Sequence, residues 1–191
     1  MAFDTGRQFF VSMHVLAEDF ENRHDEELAF HLRASEAKLI RHPNISVVYE
    51  VGEDEGTPYF VTEFIDGESL AAYLTRAAPL PEMIALLLVK QLAQGASEMR
   101  NYPDLFQRCD ITASRVTSYS ASPSDLTVKI ADPGVAGRGG VTSESGLCHL
   151  LAGVALAATG SGNLAELEGS GLKGLLGASA LGGTLRRMIT A

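Results

Sequence analysis

The 191-residue chain carries a formal net charge of -9, with apolar residues at 46% and charged residues at 20%. This balance predicts a folded domain with a core, and the acidic excess excludes nucleic acid or an anionic membrane surface as the main partner. Cys109 and Cys148 form no CxxC pair, no basic start and apolar run opens the chain, and the longest apolar run, Leu147 to Ala158, is too short to span a bilayer, so a reduced cytoplasmic protein is expected.

Phe9 to Leu16 alternates like a strand and follows a turn at Asp4 to Arg7. Asp25 to Arg41 reads as a helix with Asp25, Glu26 and Glu27 in its first turn, where the dipole favours them, and with an apolar stripe of Leu28, Leu32, Leu39 and Ile40. Next come two runs rich in β-branched and aromatic residues, Ile45 to Val51 and Tyr59 to Ile65, around an acidic, glycine-bearing turn at Glu53 to Pro58. That pattern predicts a hairpin, and Asp66-Gly67 ends it before a helix begins at Glu68 to Leu74.

Pro81 to Asn101 is the strongest helix pattern, with Ile84, Leu87, Leu88, Leu92, Ala96 and Met99 on one face. Phe106 to Val116 reads FQRCDITASRV, and Leu126 to Ala131 is a short strand ending in Asp132-Pro133-Gly134. Gly146 to Thr159 predicts a helix that is apolar on nearly every face and therefore buried. The tail from Asn163 to Ala191 offers two glycine-rich helices of weak intrinsic propensity.

The order HPNI, hairpin, YFVTEFIDGESLAAYL, long helix, D-x4-R and DPG resembles a protein kinase domain of the bacterial serine/threonine type, over most of Val11 to Gly160. The resemblance implies an α+β, two-lobe kinase-like fold. Residues 1–65 would form a reduced N-lobe of about three strands plus one helix, without the strands of a Gly-rich loop, and residues 66–191 a shortened, mainly helical C-lobe. It implies a gatekeeper at Thr62 and a hinge at Glu63, Phe64 and Ile65.

The same resemblance sets His14 in the place of the phosphate-gripping lysine and Arg33 in that of its glutamate partner, with Glu36 nearly one turn on as a substitute. A histidine on its short stem brings no fixed charge, and an ordinary strand role for His14 is an equal reading. Asp110 matches the catalytic aspartate, preceded by Arg108 and Cys109 in place of the usual His-Arg. Arg115 stands at the metal-binding asparagine, and Asp132 at the magnesium-binding aspartate. A pairing of the Arg115 guanidinium with Asp132 or Asp110 is expected to fill the metal's place. The acid that usually ties down the catalytic loop maps near Gly146, with Glu144 nearby.

These departures predict no enzyme, no cofactor and no metal: a pseudokinase acting as a protein-interaction or scaffolding module within a larger assembly. The alternatives are a nucleotide-binding regulatory domain, held through the hinge, or a weak residual serine/threonine kinase. A protein partner, a second copy, or residues Met1 to Phe10 folded back would cover the N-lobe sheet. No metalloprotease, hydrolase-elbow or Walker motif is present, and histidines 14, 24, 31, 42 and 149 share no ligand spacing.

Overall fold

A reversal at Asp4 starts the fold in the computed structural model, which describes residues 1–16, 23–118, 125–136, 151–155 and 158. Asp4 Oδ1 accepts hydrogen bonds from the Gly6 and Arg7 backbone N–H groups at 2.9 and 2.8 Å, a local arrangement that favours a turn. Strand β1 (Ala2–Asp4) therefore folds back antiparallel onto β2 (Phe9–Val15), with Phe3 opposite Phe10. The expected sheet of about three strands thus has four, and one uncovered edge receives the chain's own first residues.

Helix α1 (Arg23–Ala37) begins with Asp25 and Glu26 in its first turn, as its dipole favours. Its packed stripe is Phe30, Ala34 and Ala37, whereas Leu28 and Leu32 are 58% and 63% exposed. This corrects the expected leucine stripe: small alanines allow the helix to approach the sheet, and Phe30 then reaches the Phe60 ring at 5.5 Å. The hairpin follows as β3 (Val48–Asp54) and β4 (Thr57–Glu63). Glu55 and Gly56 both take positive φ at its tip, the geometry of a type I′ turn, which matches strand twist. The sheet order is β1-β2-β4-β3, antiparallel throughout.

After the hairpin, β5 (Glu68–Ser69) leads into α2 (Leu70–Ala77), whose Ser69 hydroxyl accepts from the Ala72 N–H at 3.2 Å as an N-cap. The long helix α3 (Glu82–Met99) buries Ile84, Leu88, Leu92, Ala96 and Met99, as its periodicity predicts. Helix α4 (Pro103–Arg108) and a short 3-10 turn at Ile111–Ala113 precede β6 (Arg115–Ser118) and β7 (Leu126–Lys129), which form a second sheet in the order β5-β6-β7. Leu151, Ala152, Val154, Ala155 and Ala158 are all buried, in keeping with the expected apolar helix. The rest of that helix, Glu144, Gly146 and the tail from Asn163 lie outside the described residues.

One polar side chain joins these parts. Gln91, on α3, donates through Nε2 to the Leu126 carbonyl at 2.9 Å, and its Oε1 accepts from the Val128 N–H at 2.8 Å and from Asn44 Nδ2 at 2.9 Å. Asn44 Nδ2 also donates to the Val128 carbonyl at 2.9 Å. A parallel bridge between Ile45 and Ile130 completes the seam, with Ser46 N–H donating to the Ile130 carbonyl at 2.9 Å and Ile130 N–H to that of Asn44 at 2.8 Å. The segment entering the first sheet is thereby stitched to the second sheet and to α3. Because stranding a buried polar group costs roughly 1–3 kcal/mol, Gln91→Ala should lower the unfolding free energy by about 2–4 kcal/mol. A urea-unfolding change within about 0.5 kcal/mol, as for an ordinary surface site, would contradict this role.

Candidate functional site

A cleft of about 170 Å³ opens between the sheets, lined by Ser12, His14, Thr62, Glu63, Phe64, Ile65, Arg115 and Ala131. Alternation along β2 and β4 explains the first wall: Ser12 lies opposite Thr62 and His14 opposite Phe60, so these side chains share one sheet face. The other wall comes from Arg115 at the start of β6 and from Ala131, two residues past β7. The expected hinge, Glu63 to Ile65, therefore borders the cleft, and Thr62 is buried at its inner edge.

The His14 ring stacks on Phe60 with centroids 4.5 Å apart and planes at 8°. Its Nε2 lies 3.2 Å from Thr62 Oγ1. Burial is the largest influence on its pKa and pushes it below the ordinary histidine value, while the negative charge of Asp132 acts in the opposite direction. His14 is thus a packed wall of the cleft and a titratable group facing Asp132 at the same time.

Arg33 does not approach His14. Its Nη2 donates to Glu26 Oε1 at 2.6 Å and its Nε to the Val135 carbonyl at 3.3 Å, tying α1 to the segment after β7. Glu36, the substitute that the resemblance offered for that glutamate, takes part in none of the described ion pairs. Arg108 Nη2 stands 4.0 Å from the same Glu26 carboxylate.

Asp132 Oδ1 accepts from the backbone N–H groups of Gly134, Val135 and Ala136 at 3.0, 2.9 and 3.4 Å. Gly134 permits the bend: its φ is +90°, and a Cβ there would stand 2.1 Å from the Leu105 carbonyl oxygen. Asp110 is half-buried at the end of α4, next to Cys109. Burial, with the negative charges of Asp132 and Asp110 adding to it, pushes the Cys109 thiol up to about 12. The fold therefore sets Cys109 in the field of both Asp110 and Asp132, and His14 in that of Asp132.

The Arg115 guanidinium is turned elsewhere than expected. Its Nη2 donates to the Gly67 carbonyl at 2.5 Å, in place of a pairing with Asp132 or Asp110, and its Nε is buried without a partner. The physical reason is register: Arg115 opens β6, where pairing with β5 brings the Gly67 turn alongside it. Sequence reading missed Lys129, which stands opposite Arg115 across β6 and β7 and reaches both Glu63 carboxylate oxygens at 2.6 Å. The alternation of buried Leu126, Val128 and Ile130 was the available signal, since it sends Lys129 to the other face.

With its folded-state pKa depressed, His14 supports stability fully above the unfolded histidine value of about 6.5, and that support is lost as pH falls. His14→Gln should accordingly flatten the loss of unfolding free energy between pH about 7.5 and about 5.5. Parallel urea curves at the two pH values measure it, and an unchanged difference in the variant would contradict a buried, neutral His14.

Comparison with known proteins supplies the context for this cleft. Residues 5–146 match the family model described as protein tyrosine and serine/threonine kinase. The chain is 32% identical over 126 residues to the probable serine/threonine-protein kinase PknB of Lactococcus lactis, covering 66% of this chain and 19% of that protein. It is 28% identical over 179 residues to the serine/threonine-protein kinase PknJ of Mycobacterium tuberculosis, covering 94% and 29% respectively. Among solved structures, a mutant of the Mycobacterium tuberculosis PknI kinase domain superposes with a TM-score of 0.69 at 19% identity, covering 97% of this chain and 78% of that one. The chain thus spans less than a third of the length of the curated relatives it matches here.

These matches overturn the expectation that the chain is no enzyme, because the relatives are named as kinases and the kinase family model covers most of the described residues. The expectation added up the replacements at His14, Arg33 and Arg115 as separate losses, whereas groups that act as a unit are strongly non-additive. The family model, matched over residues 5–146, gives the conclusion: the chain belongs to the protein tyrosine and serine/threonine kinase family.

Proposed function

We propose that the domain is a phosphoryl-transfer module of the serine/threonine kinase type, which takes the base of an adenine nucleotide into the cleft at Thr62 to Ile65. The observation that carries this reading is the position of the cleft. It lies between the two sheets, bordered by Glu63 to Ile65 and lined also by His14 and Arg115. At about 170 Å³ it is smaller than the ~300–1,000 Å³ of typical small-molecule sites, so a nucleotide would be enclosed only in part. The names of the relatives support the reaction class. The lobe division after Ile65 belongs to the same reading.

Asp110 is the group assigned to orient the acceptor hydroxyl and to take its proton. The residues present do not fit a divalent cation held by two protein ligands. Asp132 Oδ1 is committed to three backbone N–H groups, and the second family position carries the Arg115 cation. Among the described residues no group of three or more His, Cys, Asp or Glu side chains is disposed to hold a metal. A role in protein contacts goes with this reading, since Phe9, Met13 and Val15 on one face of β2 are 38%, 44% and 56% exposed.

The test is calorimetric titration of the folded chain with adenosine and ATP, followed by transfer of labelled phosphate to a protein acceptor, with the mass in solution recorded alongside. Saturable adenosine binding is expected, weakened at least about tenfold by Ala131→Phe, which fills the cleft; a tenfold change corresponds to about 1.4 kcal/mol. Transfer should fall by about a hundredfold or more in Asp110→Asn. A folded chain that binds neither ligand, or transfer indifferent to Asp110→Asn, would overturn the reading.

A further inference from the structure

The cleft carries its own cationic groups, and their surroundings distinguish them. Lys129 is matched by both oxygens of Glu63, so this pair adds little net charge to the cleft. Arg115 lines the same cleft from the opposite sheet and faces no carboxylate among its described contacts. Its one described hydrogen bond goes to the neutral Gly67 carbonyl, and its Nε is buried and unpartnered. A guanidinium has five N–H donors, and a partly buried cation without a counter-charge is costly to hold. The site is therefore short of an anion at Arg115.

His14 stands on the facing wall of this cleft. From β4 it meets the uncharged Thr62 and Phe60, while Glu63, at the end of β4 in the same cleft, is paired with Lys129 of β7; beyond β7 Asp132 acts on it; on β6 the charged group is Arg115; and Arg33 of α1 is turned to Glu26 and Val135. The amino terminus acts on it at longer range. Asp132 would oppose an incoming anion, but its Oδ1 is already stabilised by three backbone N–H groups.

Resting on the nucleotide reading above, we propose that Arg115 and a protonated His14 hold the phosphate of the bound nucleotide directly, so that phosphate binding requires no divalent cation and takes up one proton. In the free domain burial favours the neutral imidazole. A phosphate beside it favours the imidazolium, so His14 gains a proton as the ligand arrives. The sign follows from linkage. Affinity for a phosphorylated ligand rises as pH falls through the interval between the bound and free pKa values of His14, by up to about tenfold per pH unit for one proton. Adenosine, which lacks the anion, has no such slope.

Calorimetry with ADP and adenosine, in EDTA and in magnesium, from pH about 6 to about 8, tests this directly. Repetition in two buffers of different ionisation enthalpy counts the proton. ADP should bind in EDTA at least as tightly as in magnesium, and its advantage over adenosine should widen as pH falls. Arg115→Gln should reduce that advantage about tenfold or more across the range. His14→Lys should keep the advantage and abolish its pH slope, since lysine stays charged over this range. ADP binding that requires magnesium, a pH slope retained in His14→Lys, or ADP no tighter than adenosine would overturn the inference while leaving the base-binding reading intact. Failure of both adenosine and ADP to bind the folded chain would overturn the two together.

Discussion

The cleft exists because two sheets are held at a fixed separation, and the Gln91 amide is what fixes it. Its three hydrogen bonds reach two backbone groups of β7 and the Asn44 side chain at the entry to the first sheet. Apolar packing alone is non-directional and would permit the sheets to slide. Paired backbone groups at Asn44, Ser46 and Ile130 set a register instead, because a slip of one residue would strand buried donors and acceptors. The Lys129–Glu63 pair adds a second tie between β7 and the end of β4.

Charge follows from that register. Arg115 and Lys129 lie directly opposite each other on β6 and β7, a like-charge pairing that is unfavourable by itself. Glu63 neutralises one of them, and the other is left facing the cleft. Likewise the segment after β7 folds around the Asp132 carboxylate, which spends one oxygen on backbone donors. The site is thus organised by anchored charges on rigid elements, an arrangement suited to recognising an anion without rearrangement.

Much of this was legible in the chain itself. The hairpin, the long helix and the strand before Asp132 follow from periodicity and turn residues, and the joint order of HPNI, hairpin, long helix and DPG carried the family. Boundaries moved by a few residues where pairing partners, not propensity, decide the ends. The packed face of α1 was misread because Leu28 and Leu32 outrank Ala34 and Ala37 in hydrophobicity, although close approach to a sheet rewards small residues. The Val135 carbonyl that Arg33 meets and the Gly67 carbonyl that Arg115 meets lie 102 and 48 residues away in sequence, which no local pattern records, although Glu26, the other partner of Arg33, is seven residues away on the same helix. The reading of the chain as no enzyme failed for a related reason: a motif residue can be judged only with the groups that surround it.

Native-state hydrogen exchange tests the account most directly. If the Gln91 seam holds both sheets as one unit, the amides of Ser46, Val128 and Ile130 should exchange only through global opening, with the same free energy as the Leu88 and Leu92 amides in α3. Seam amides that exchange through a separate opening, several kcal/mol below that of α3, would show that the sheets part freely and would contradict a preformed cleft.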